Sequence, residues 1–314
     1  MRRILIIGAK GQVGTELVRE LANRPEVEIV VSSDIKEPGI DDDSHYIRLD
    51  ATSYTDIRKT IVVHGINEVY LMAAMLSATA EKQPLRAWDL NMESLLHILE
   101  LAKEGLIKKV FWPSSIAVFG ENVQKQLTPQ NASLQPSTVY GISKVAGELW
   151  CDYYHDKFGV DVRSVRYPGL IGSKSLPGGG TTDYAVHIFY DALEHGEYQC
   201  FLQEDRSLPM MYMDDAIRAT IELMEAPSEN IRIRRSYNIH GLSFDPRSLV
   251  REIQTHLPDF KITYRPDQRD LIAASWPSSV DDREAREDWH WRPSYDLPQL
   301  VNTMLTDIKI KSPL

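Results

Sequence analysis

A tyrosine and a lysine in the stretch YGISK form the pair whose types and spacing most directly suggest chemistry. Tyr140 and Lys144 lie four residues apart, on one face of the helix that the sequence predicts from Ser137 to Phe158. A phenol titrates near pH ~10 and is a poor base at neutral pH, but a neighbouring ammonium favours the phenolate. We therefore expect Tyr140 to exchange a proton with an alcohol, with Lys144 lowering its pKa. The same spacing also occurs by chance in surface helices, so the pair needs support from other residues.

A serine pair upstream supplies a third polar group. Ser114 and Ser115 stand in PSSIAVFG, at the end of the predicted fifth strand, and Ser115 precedes Tyr140 by 25 residues. Ligands of doubly wound sheets bind beyond the carboxyl ends of the strands. We expect Ser115 to bind the alcohol oxygen; the choice of Ser115 over Ser114 depends on counting back from Gly120 and stays open by one residue.

The glycine-rich turn near the N-terminus predicts a dinucleotide site. Gly8, Gly11 and Gly14 follow the strand RRILIIG in the stretch GAKGQVG, with Gln12 and Val13 opening the next helix. Glycines permit a tight turn and close approach to a pyrophosphate, whose charge is favoured by free N–H groups at a helix N-terminus. The alternative is that the glycines merely cap a turn and that Asp34 is an exposed acid at a strand end.

An aspartate at the end of the second strand indicates which dinucleotide binds. Asp34 ends VEIVVSSD, 20 residues after Gly14, where a carboxylate accepts the ribose hydroxyls. The same carboxylate would repel a 2′-phosphate, so the prediction is NAD rather than NADP. Asp50 and Ala51, at the end of the third predicted strand, either meet the adenine or simply begin a loop.

These residues need a frame that brings strand ends together. Short apolar runs alternate with amphipathic ones up to about Arg166. Strands that are apolar throughout and separated by helices are typical of a parallel sheet covered on both faces. The predicted fold class is therefore α/β, a doubly wound Rossmann sheet. The predicted strands are RRILIIG, VEIVVSSD, YIRLD, EVYLM, KKVFWPSS and VDVRSVRYP.

A change of rhythm after Tyr167 predicts a smaller C-terminal lobe. Glycine- and proline-rich loops, a helix from about Thr182 to His195 and shorter segments replace the regular alternation. We predict an NAD-binding domain of residues 1–167 plus about 212–241, and a substrate-binding lobe of about 168–211 plus 242–314.

Composition excludes several function classes. The chain has 314 residues, a formal net charge of −10 and 43% hydrophobic residues. The charge argues against nucleic-acid binding, which needs clustered Lys and Arg. No apolar run approaches the ~20 residues of a membrane span, so no membrane association is predicted. Cys151 and Cys200 show no metal-binding spacing, which predicts neither a disulfide nor a metal site and fits a reducing cytoplasm.

The motifs together resemble the extended short-chain dehydrogenase/reductases, the superfamily of UDP-galactose epimerase and nucleotide-sugar dehydratases. The resemblance covers nearly the whole chain, through GAKGQVG, Asn91, PSSIAVFG, YGISK and RYPGLI. It implies catalytic roles for Ser115, Tyr140 and Lys144, with Lys144 also holding the nicotinamide ribose. It further implies that six residues lie along the cofactor: Ala73, Ala74, Asn91, Tyr167, Pro168 and Leu170.

The residues after Ser115 and two longer stretches indicate which branch of the superfamily the chain resembles. Sugar-nucleotide dehydratases carry an Asp-Glu pair after the catalytic hydroxyl, where this chain has Ile116 and Ala117. The runs SLPGGGTTDYAVHIFYDAL and SWPSSVDDREAREDWHW are similar to those of the short-chain type of L-threonine 3-dehydrogenase. That similarity implies metal-independent oxidation of the threonine β-hydroxyl by NAD, giving 2-amino-3-oxobutyrate, in threonine catabolism.

A small zwitterionic substrate would need partners for its carboxylate and ammonium. The stretch PGGGTTDY offers Gly179, Thr181, Thr182 and Asp183 at a predicted helix start, where an anion is favoured. Asp183 either faces the ammonium or caps the helix. Ser77, Ser114 and Trp276 are further candidates for the pocket, although a buried Trp more often fills a core.

Two other functions and one assembly question remain open. A nucleotide-sugar 4-epimerase would use the same triad, and an NAD-sensing protein without catalysis would keep the glycine turn. Apolar residues on two helices exceed what one core face uses, and the matching superfamily helices pair between subunits, so we expect a homodimer; the alternative is an internal core face. These residues are Leu95, Leu96, Leu99, Trp150 and Tyr154.

Overall fold

The computed structural model describes residues 1–39, 45–174 and 177–311. A parallel sheet of six strands lies at its centre. Every neighbouring pair is parallel. Parallel strands need long crossovers, and helices supply them, so the prediction of an α/β fold with a parallel sheet is confirmed. The strands are β1 (Arg2–Ile7), β2 (Val27–Asp34), β3 (Tyr46–Arg48), β4 (Glu68–Leu71), β5 (Lys109–Phe111) and β7 (Val162–Arg163). Their order in the sheet is β3-β2-β1-β4-β5-β7.

Alternation of side chains along β1 explains why helices cover both faces of this sheet. Ile4 and Ile6 pack into one apolar cluster, whereas Leu5 and Ile7 pack into another. The longer helices are α1 (Gln12–Ala22), α2 (Tyr54–His64), α4 (Pro84–Lys103), α5 (Val139–Phe158), α6 (Tyr184–Glu194), α7 (Met213–Glu225), α8 (Pro246–His256) and α11 (Leu297–Lys311). The first cluster contains residues of α1 and α7, and the second contains residues of α2, α4 and α5.

Three smaller sheets and a third apolar cluster carry the rest of the chain. The sheets have the orders β12-β8-β6, β13-β11-β9 and β10-β14. The third cluster gathers residues of α6, α8 and α11. The remaining elements are β6 (Ser114–Ser115), β8 (Val165–Tyr167), β9 (Gly169–Ile171), β10 (Glu197–Cys200), β11 (Leu208–Tyr212), β12 (Tyr237–Asn238), β13 (Leu242–Phe244), β14 (Lys261–Tyr264), α3 (Ser77–Ala80), α9 (Gln268–Ser275) and α10 (Arg283–Trp289).

The predicted division into two domains stays a prediction. One segment that was assigned to the lobe packs against the first domain. Strand β12 returns to pair with β8, as the assignment of residues 212–241 to the first domain requires. Trp289 and Trp291, assigned to the lobe, pack in the same cluster as β1 and α7. The segment of α10 therefore contacts the first domain, not the core of the lobe.

Three predicted strands are shorter or divided. KKVFWPSS forms β5 and β6 in different sheets, because Pro113 lacks an N–H and interrupts the ladder. VDVRSVRYP divides at Ser164 into β7 and β8, opposite that break. Strand β3 ends at Arg48, so Asp50 and Ala51 lie in the following turn.

Two helices begin later than predicted, and one was missed. Helix α5 begins at Val139, since the Thr138 side chain accepts a hydrogen bond from the Gly141 amide at 3.1 Å. Helix α6 begins at Tyr184, after a turn that contains the two threonines of PGGGTTDY. The short α3 lies in a stretch that the sequence assigned to no element.

The residues predicted to form a dimer interface are mostly internal. Leu95, Leu99 and Tyr154 are buried within the chain, in the cluster between α4, α5 and the sheet. Leu96 is half-buried against the same cluster, whereas Trp150 is exposed. The prediction was therefore wrong about which side chains project outward. The exposed large apolar residues on these two helices are Leu85, Trp88, Ile142, Leu149, Trp150, Tyr153 and Phe158.

None of the described helices is long and apolar enough to cross a membrane.

Candidate active site

A cleft of about 240 Å³ lies at the carboxyl ends of the central strands. The glycine turn borders it on one side and the stretch Gly180–Asp183 on the other. The sequence predicts eighteen of its lining residues: Gly8, Gly11, Gln12, Val13, Gly14, Ala74, Ser77, Ser114, Ser115, Tyr140, Lys144, Tyr167, Pro168, Leu170, Thr181, Thr182, Asp183 and Trp276. It does not predict Met72, Leu76, Pro113, Ile116, Gly169 and Gly180, which carry no distinctive polar chemistry.

The glycine turn leaves space where a ligand would need it. Gly8 has a φ of +91°, and a Cβ there would lie 2.5 Å from the Ala73 nitrogen. A Cβ on Gly14 would lie 2.2 Å from the Gly8 oxygen, so the chain's own packing demands both glycines. A Cβ on Gly11 would meet only the Gly8 oxygen, at 3.3 Å, and would project toward open space. Helix α1 has no side-chain N-cap, which leaves its first amides to an anion. The turn therefore fits a pyrophosphate.

Asp34 lies beside that turn and is nearly buried. Its carboxylate accepts hydrogen bonds from the Lys10 amide at 3.0 Å and the Lys36 amide at 3.2 Å. These bonds fix the carboxylate at the end of β2, next to the glycine turn, which is the position that a ribose-binding acid needs. The Asp50 carboxylate instead accepts from the amide and hydroxyl of Thr52.

Six predicted site residues do not line the cleft: Asp34, Asp50, Ala51, Ala73, Asn91 and Gly179. Asn91 holds the loop after β4, since its side chain accepts from the Met75 amide at 2.9 Å and donates to Ser143 Oγ at 3.1 Å. Ala73 packs against Gly8. Their cofactor-binding and substrate-binding roles stay predictions, and the geometry gives Asn91 and Ala73 supporting positions.

Tyr140 and Ser115 meet in the cleft, and Lys144 lies behind them. The side chains of Tyr140 and Ser115 both line the cleft, and Ser115 acts to lower the pKa of the phenol. The Ser115 oxygen also accepts from the Ala117 amide at 3.2 Å, in the turn that follows β6. Lys144 Nζ lies 5.5 Å from the centre of the Tyr140 ring and donates to the Pro113 carbonyl at 2.5 Å. The structure thus brings together the three residues predicted from YGISK and PSSIAVFG.

The electrostatics of the pair differ from the sequence prediction. Burial raises the pKa of Tyr140 to about 12, and the neighbouring Ser115 hydroxyl acts in the opposite direction. Burial lowers the pKa of Lys144 to about 7, against the influence of Cys151 and Glu148. Burial disfavours both charged forms, so it opposes the lowering of the Tyr140 pKa that the sequence predicts for Lys144; that role stays a prediction.

Ser114 and Ser115 point to opposite sides, as successive residues of a strand do. The Ser114 hydroxyl donates to Glu148 Oε1 at 2.6 Å, away from Tyr140. Glu148 is fully buried and forms an ion pair with Arg166, at 2.7 Å. Ser115, and not Ser114, thus contacts the phenol.

Ser77 and Thr181 place two further hydroxyls at the cleft. Ser77 Oγ and Thr181 Oγ1 lie 3.4 Å apart, although 104 residues separate them, and both side chains are buried. Thr182 packs so closely on β9 that a Cβ on Gly169 would lie 2.8 Å from its Cγ2. The cleft therefore presents hydroxyls from α3 and from the segment before α6.

Asp183 does not cap α6 with its side chain. Its Oδ2 accepts from the Gly179 amide at 2.9 Å and from the Gly180 amide at 2.6 Å. Burial raises the pKa of Asp183, while these two amides act to lower it. The carboxylate thus holds the glycine loop in shape at the edge of the cleft, which the capping alternative did not foresee.

Comparison with known proteins places this geometry in a family. A family model described as the NAD dependent epimerase/dehydratase family matches residues 4–239. An uncharacterized epimerase/dehydratase of Staphylococcus haemolyticus is 46% identical over 315 residues, which cover 99% of each chain. The chain belongs to the NAD dependent epimerase/dehydratase family and is an NAD-dependent oxidoreductase of the extended short-chain dehydrogenase/reductase type.

Comparison with solved structures shows a more specific similarity within this family. The holo form of a GalE-like L-threonine dehydrogenase from Cupriavidus necator is 53% identical, with a TM-score of 0.95 over 98% of this chain and 100% of that one. A monomeric L-threonine 3-dehydrogenase from a metagenome is 45% identical, with a TM-score of 0.95 over 98% and 99%. Over its full length the chain is thus similar to L-threonine 3-dehydrogenases.

Removing the charge of Asp34 should weaken the preference for NAD. We expect Asp34→Asn to lower the ratio of kcat/KM for NAD over NADP by about tenfold or more, because a like-charge contact with a 2′-phosphate costs several kcal/mol. Steady-state assays with both cofactors measure the ratio. Asp56→Asn, an exposed charge removal at the start of α2, serves as the control. An unchanged ratio in Asp34→Asn would show that another group selects the cofactor.

Proposed function

We propose that this protein oxidises L-threonine at its β-hydroxyl to 2-amino-3-oxobutyrate, with NAD as oxidant. The observation that carries the proposal is a small cleft in which Tyr140, Ser115 and two further hydroxyls converge. The full-length similarity to L-threonine 3-dehydrogenases supports the choice of substrate. The activity belongs to threonine catabolism, as its product implies.

Each residue of the site has a proposed role that its contacts support. Ser115 donates a hydrogen bond to the substrate hydroxyl, and Tyr140 Oη takes the hydroxyl proton. Lys144 places a positive charge behind the phenol when it is protonated, which favours the phenolate. When bound, NAD accepts the hydride from Cβ of the substrate. The first turn of α1, with Asp34 beside it, holds the dinucleotide.

Ser77, Thr181 and Thr182 are the proposed contacts of the amino-acid head group. Hydroxyls suit both ends of a zwitterion, since each has a donor and acceptor sites. Asp183 shapes the loop next to them through the Gly179 and Gly180 amides. The apolar side chains of Leu76, Ile116 and Trp276 also line the cleft.

Loss of the Thr182 hydroxyl should weaken threonine binding. We expect Thr182→Ala to raise the KM for threonine by about 10-fold or more, because hydrogen bonds to charged groups contribute about 1.5–3 kcal/mol. Thr182→Ser, which keeps the hydroxyl, should restore most of the affinity. Initial rates over a range of threonine concentrations measure both. An unchanged KM in Thr182→Ala would remove this residue from the site.

The alternative of a nucleotide-sugar 4-epimerase makes a different prediction for the same assay. Purified protein is mixed with NAD and either threonine, serine or UDP-galactose, and nicotinamide reduction is followed by absorbance. We expect NADH with threonine and none with UDP-galactose. Interconversion of UDP-sugars without NADH from threonine would favour the epimerase, and NAD binding without any turnover would favour the sensing protein.

We also propose a homodimer in the cytoplasm, with corrected interface residues. Trp88, Leu149, Trp150, Tyr153 and Phe158 are exposed on α4 and α5, and the Tyr153 ring contacts those of Trp150 and Phe158. An exposed apolar patch of this kind is typical of an interaction surface. The two cysteines are buried and free, in keeping with a reducing compartment. One similar structure is described as monomeric, so light scattering of the purified protein is the deciding measurement.

A further inference from the structure

The Lys144 ammonium is held by a segment that carries none of the predicted catalytic residues. Its Nζ lies 4.4 Å from the centre of the Trp112 ring and donates to the Pro113 carbonyl at 2.5 Å. Both partners come from the short connection between β5 and β6. Lys144 itself is only 2% exposed, so these contacts replace most of its water.

The Trp112 ring is fixed in place by its neighbours. The side chain is buried between the sheet and the helices α4 and α5. A Cβ on Gly147 would lie 2.3 Å from Cη2 of the indole and 3.1 Å from a methyl of Leu95. Gly147 follows Lys144 by three residues, so the same face of α5 presents the ammonium and the gap that receives the ring. The Trp112 amide donates to the Arg163 carbonyl at 3.0 Å, which anchors its backbone.

We propose that Trp112 is a positioning residue of this site, whose indole face holds the Lys144 ammonium beside Tyr140. A cation above the face of a Trp ring is attracted by the ring quadrupole, most strongly where water is excluded. The Pro113 carbonyl fixes the direction of one N–H, and the ring supports the charge from a second side. This inference rests on the proposed function, in which Lys144 supports the phenolate.

The surroundings of Lys144 make the ring important for its charge. Along α5 the titratable groups near it are Tyr140, Glu148 and Cys151. From β8, Arg166 forms an ion pair with Glu148, which also accepts a hydrogen bond from the Ser114 hydroxyl. From the connection between β5 and β6, the described contacts of Nζ are the indole and a carbonyl.

The sign of the expected effect follows from these contacts. Burial lowers the pKa of Lys144 to about 7, and the indole favours the ammonium against that influence. Replacing the ring with an aliphatic group therefore lowers the pKa further. Lys144 then loses its proton at a lower pH, and any property that needs the ammonium declines earlier as the pH rises.

The test compares Trp112→Leu and Trp112→Phe with the parent across the neutral and alkaline range. For Trp112→Leu we expect the alkaline decline of kcat/KM for threonine to move down by about 0.4 to 1.5 pH units, the equivalent of one cation–π contact. Trp112→Phe keeps an aromatic face and should show a smaller shift. Calorimetric titration with NAD over the same pH range gives a second readout, because Lys144 is also the proposed partner of the nicotinamide ribose.

A matched control separates this effect from loss of packing. Trp291 is fully buried and lies 4.7 Å from the guanidinium of Arg218, but it packs in the apolar cluster with α7, whereas Trp112 packs in the cluster with α4 and α5. We expect Trp291→Leu to lower the melting temperature without moving either pH profile. Unchanged profiles in both Trp112 variants would overturn the proposal. A parent enzyme that forms no NADH from threonine would instead overturn the proposed function, and the NAD titrations would still decide the role of Trp112.

Discussion

Tyr140→Phe should reduce threonine oxidation by at least about 10²- to 10⁴-fold, the range that general acid–base catalysis contributes. The substitution removes only the phenolic oxygen of a side chain that lines the cleft with Ser115, and this oxygen is the proposed acceptor of the substrate proton. The dinucleotide contacts proposed for the glycine turn and Asp34 are left in place. We therefore expect the Kd for NAD to stay within about twofold of the parent value, a small change on the affinity scale.

Tyr154→Phe is the matched control for this experiment. Tyr154 lies on the same helix, and its hydroxyl also has a partner, the carboxylate of Glu100, but the side chain does not line the cleft. This variant should keep near-parental turnover. The measurements are single-turnover rates and NAD binding for both variants. A Tyr140→Phe variant as active as the parent would show that another group exchanges the proton.

Arg166→Leu should be the most destabilising single change near the site, by about 3–5 kcal/mol. Glu148 is fully buried, and its two carboxylate oxygens accept from Arg166 at 2.9 and 2.7 Å. Arg166 also donates to the Gln130 carbonyl and to Asn238 Oδ1. Removing the guanidinium leaves a buried carboxylate without its counter-ion, which costs far more than a solvated charge would.

Denaturant unfolding of Arg166→Leu and of Arg58→Leu measures this difference. Arg58 pairs with Glu104 where both side chains are exposed, so its loss should change the stability much less than the loss of Arg166. The buried pair also anchors Ser114, next to Ser115, and the variant should lose activity at temperatures where it is still folded. Equal losses of stability in the two variants would contradict this account of the buried pair.

Local patterns in the sequence were sufficient to predict the sheet and the glycine turn that position the site. The alternation of apolar runs predicted the parallel sheet, because inner strands such as β1 and β4 are buried on both faces. The glycine turn could be placed because strand, turn and helix follow one another within a few residues. Ser115, Tyr140 and Lys144 could be proposed together because each follows a strand end or a helix spacing that the sequence displays.

Other features depend on contacts between distant segments, which the sequence does not display. One such feature is the hydroxyl pair of Ser77 and Thr181, which are 104 residues apart in the sequence. The rise that burial causes in the pKa of Tyr140 could not be predicted from spacing either. Trp112 looked like an ordinary strand residue until Lys144 and Gly147 were seen against its ring.

The proposed function makes a central claim about where the hydride originates, and one measurement tests that claim directly. L-Threonine carrying deuterium at Cβ is incubated with the protein and NAD, and the reduced nicotinamide is analysed by mass spectrometry. We predict that the NADH carries one deuterium and that the other product is 2-amino-3-oxobutyrate. NADH without deuterium, or no NADH at all while the protein binds NAD, would contradict the account.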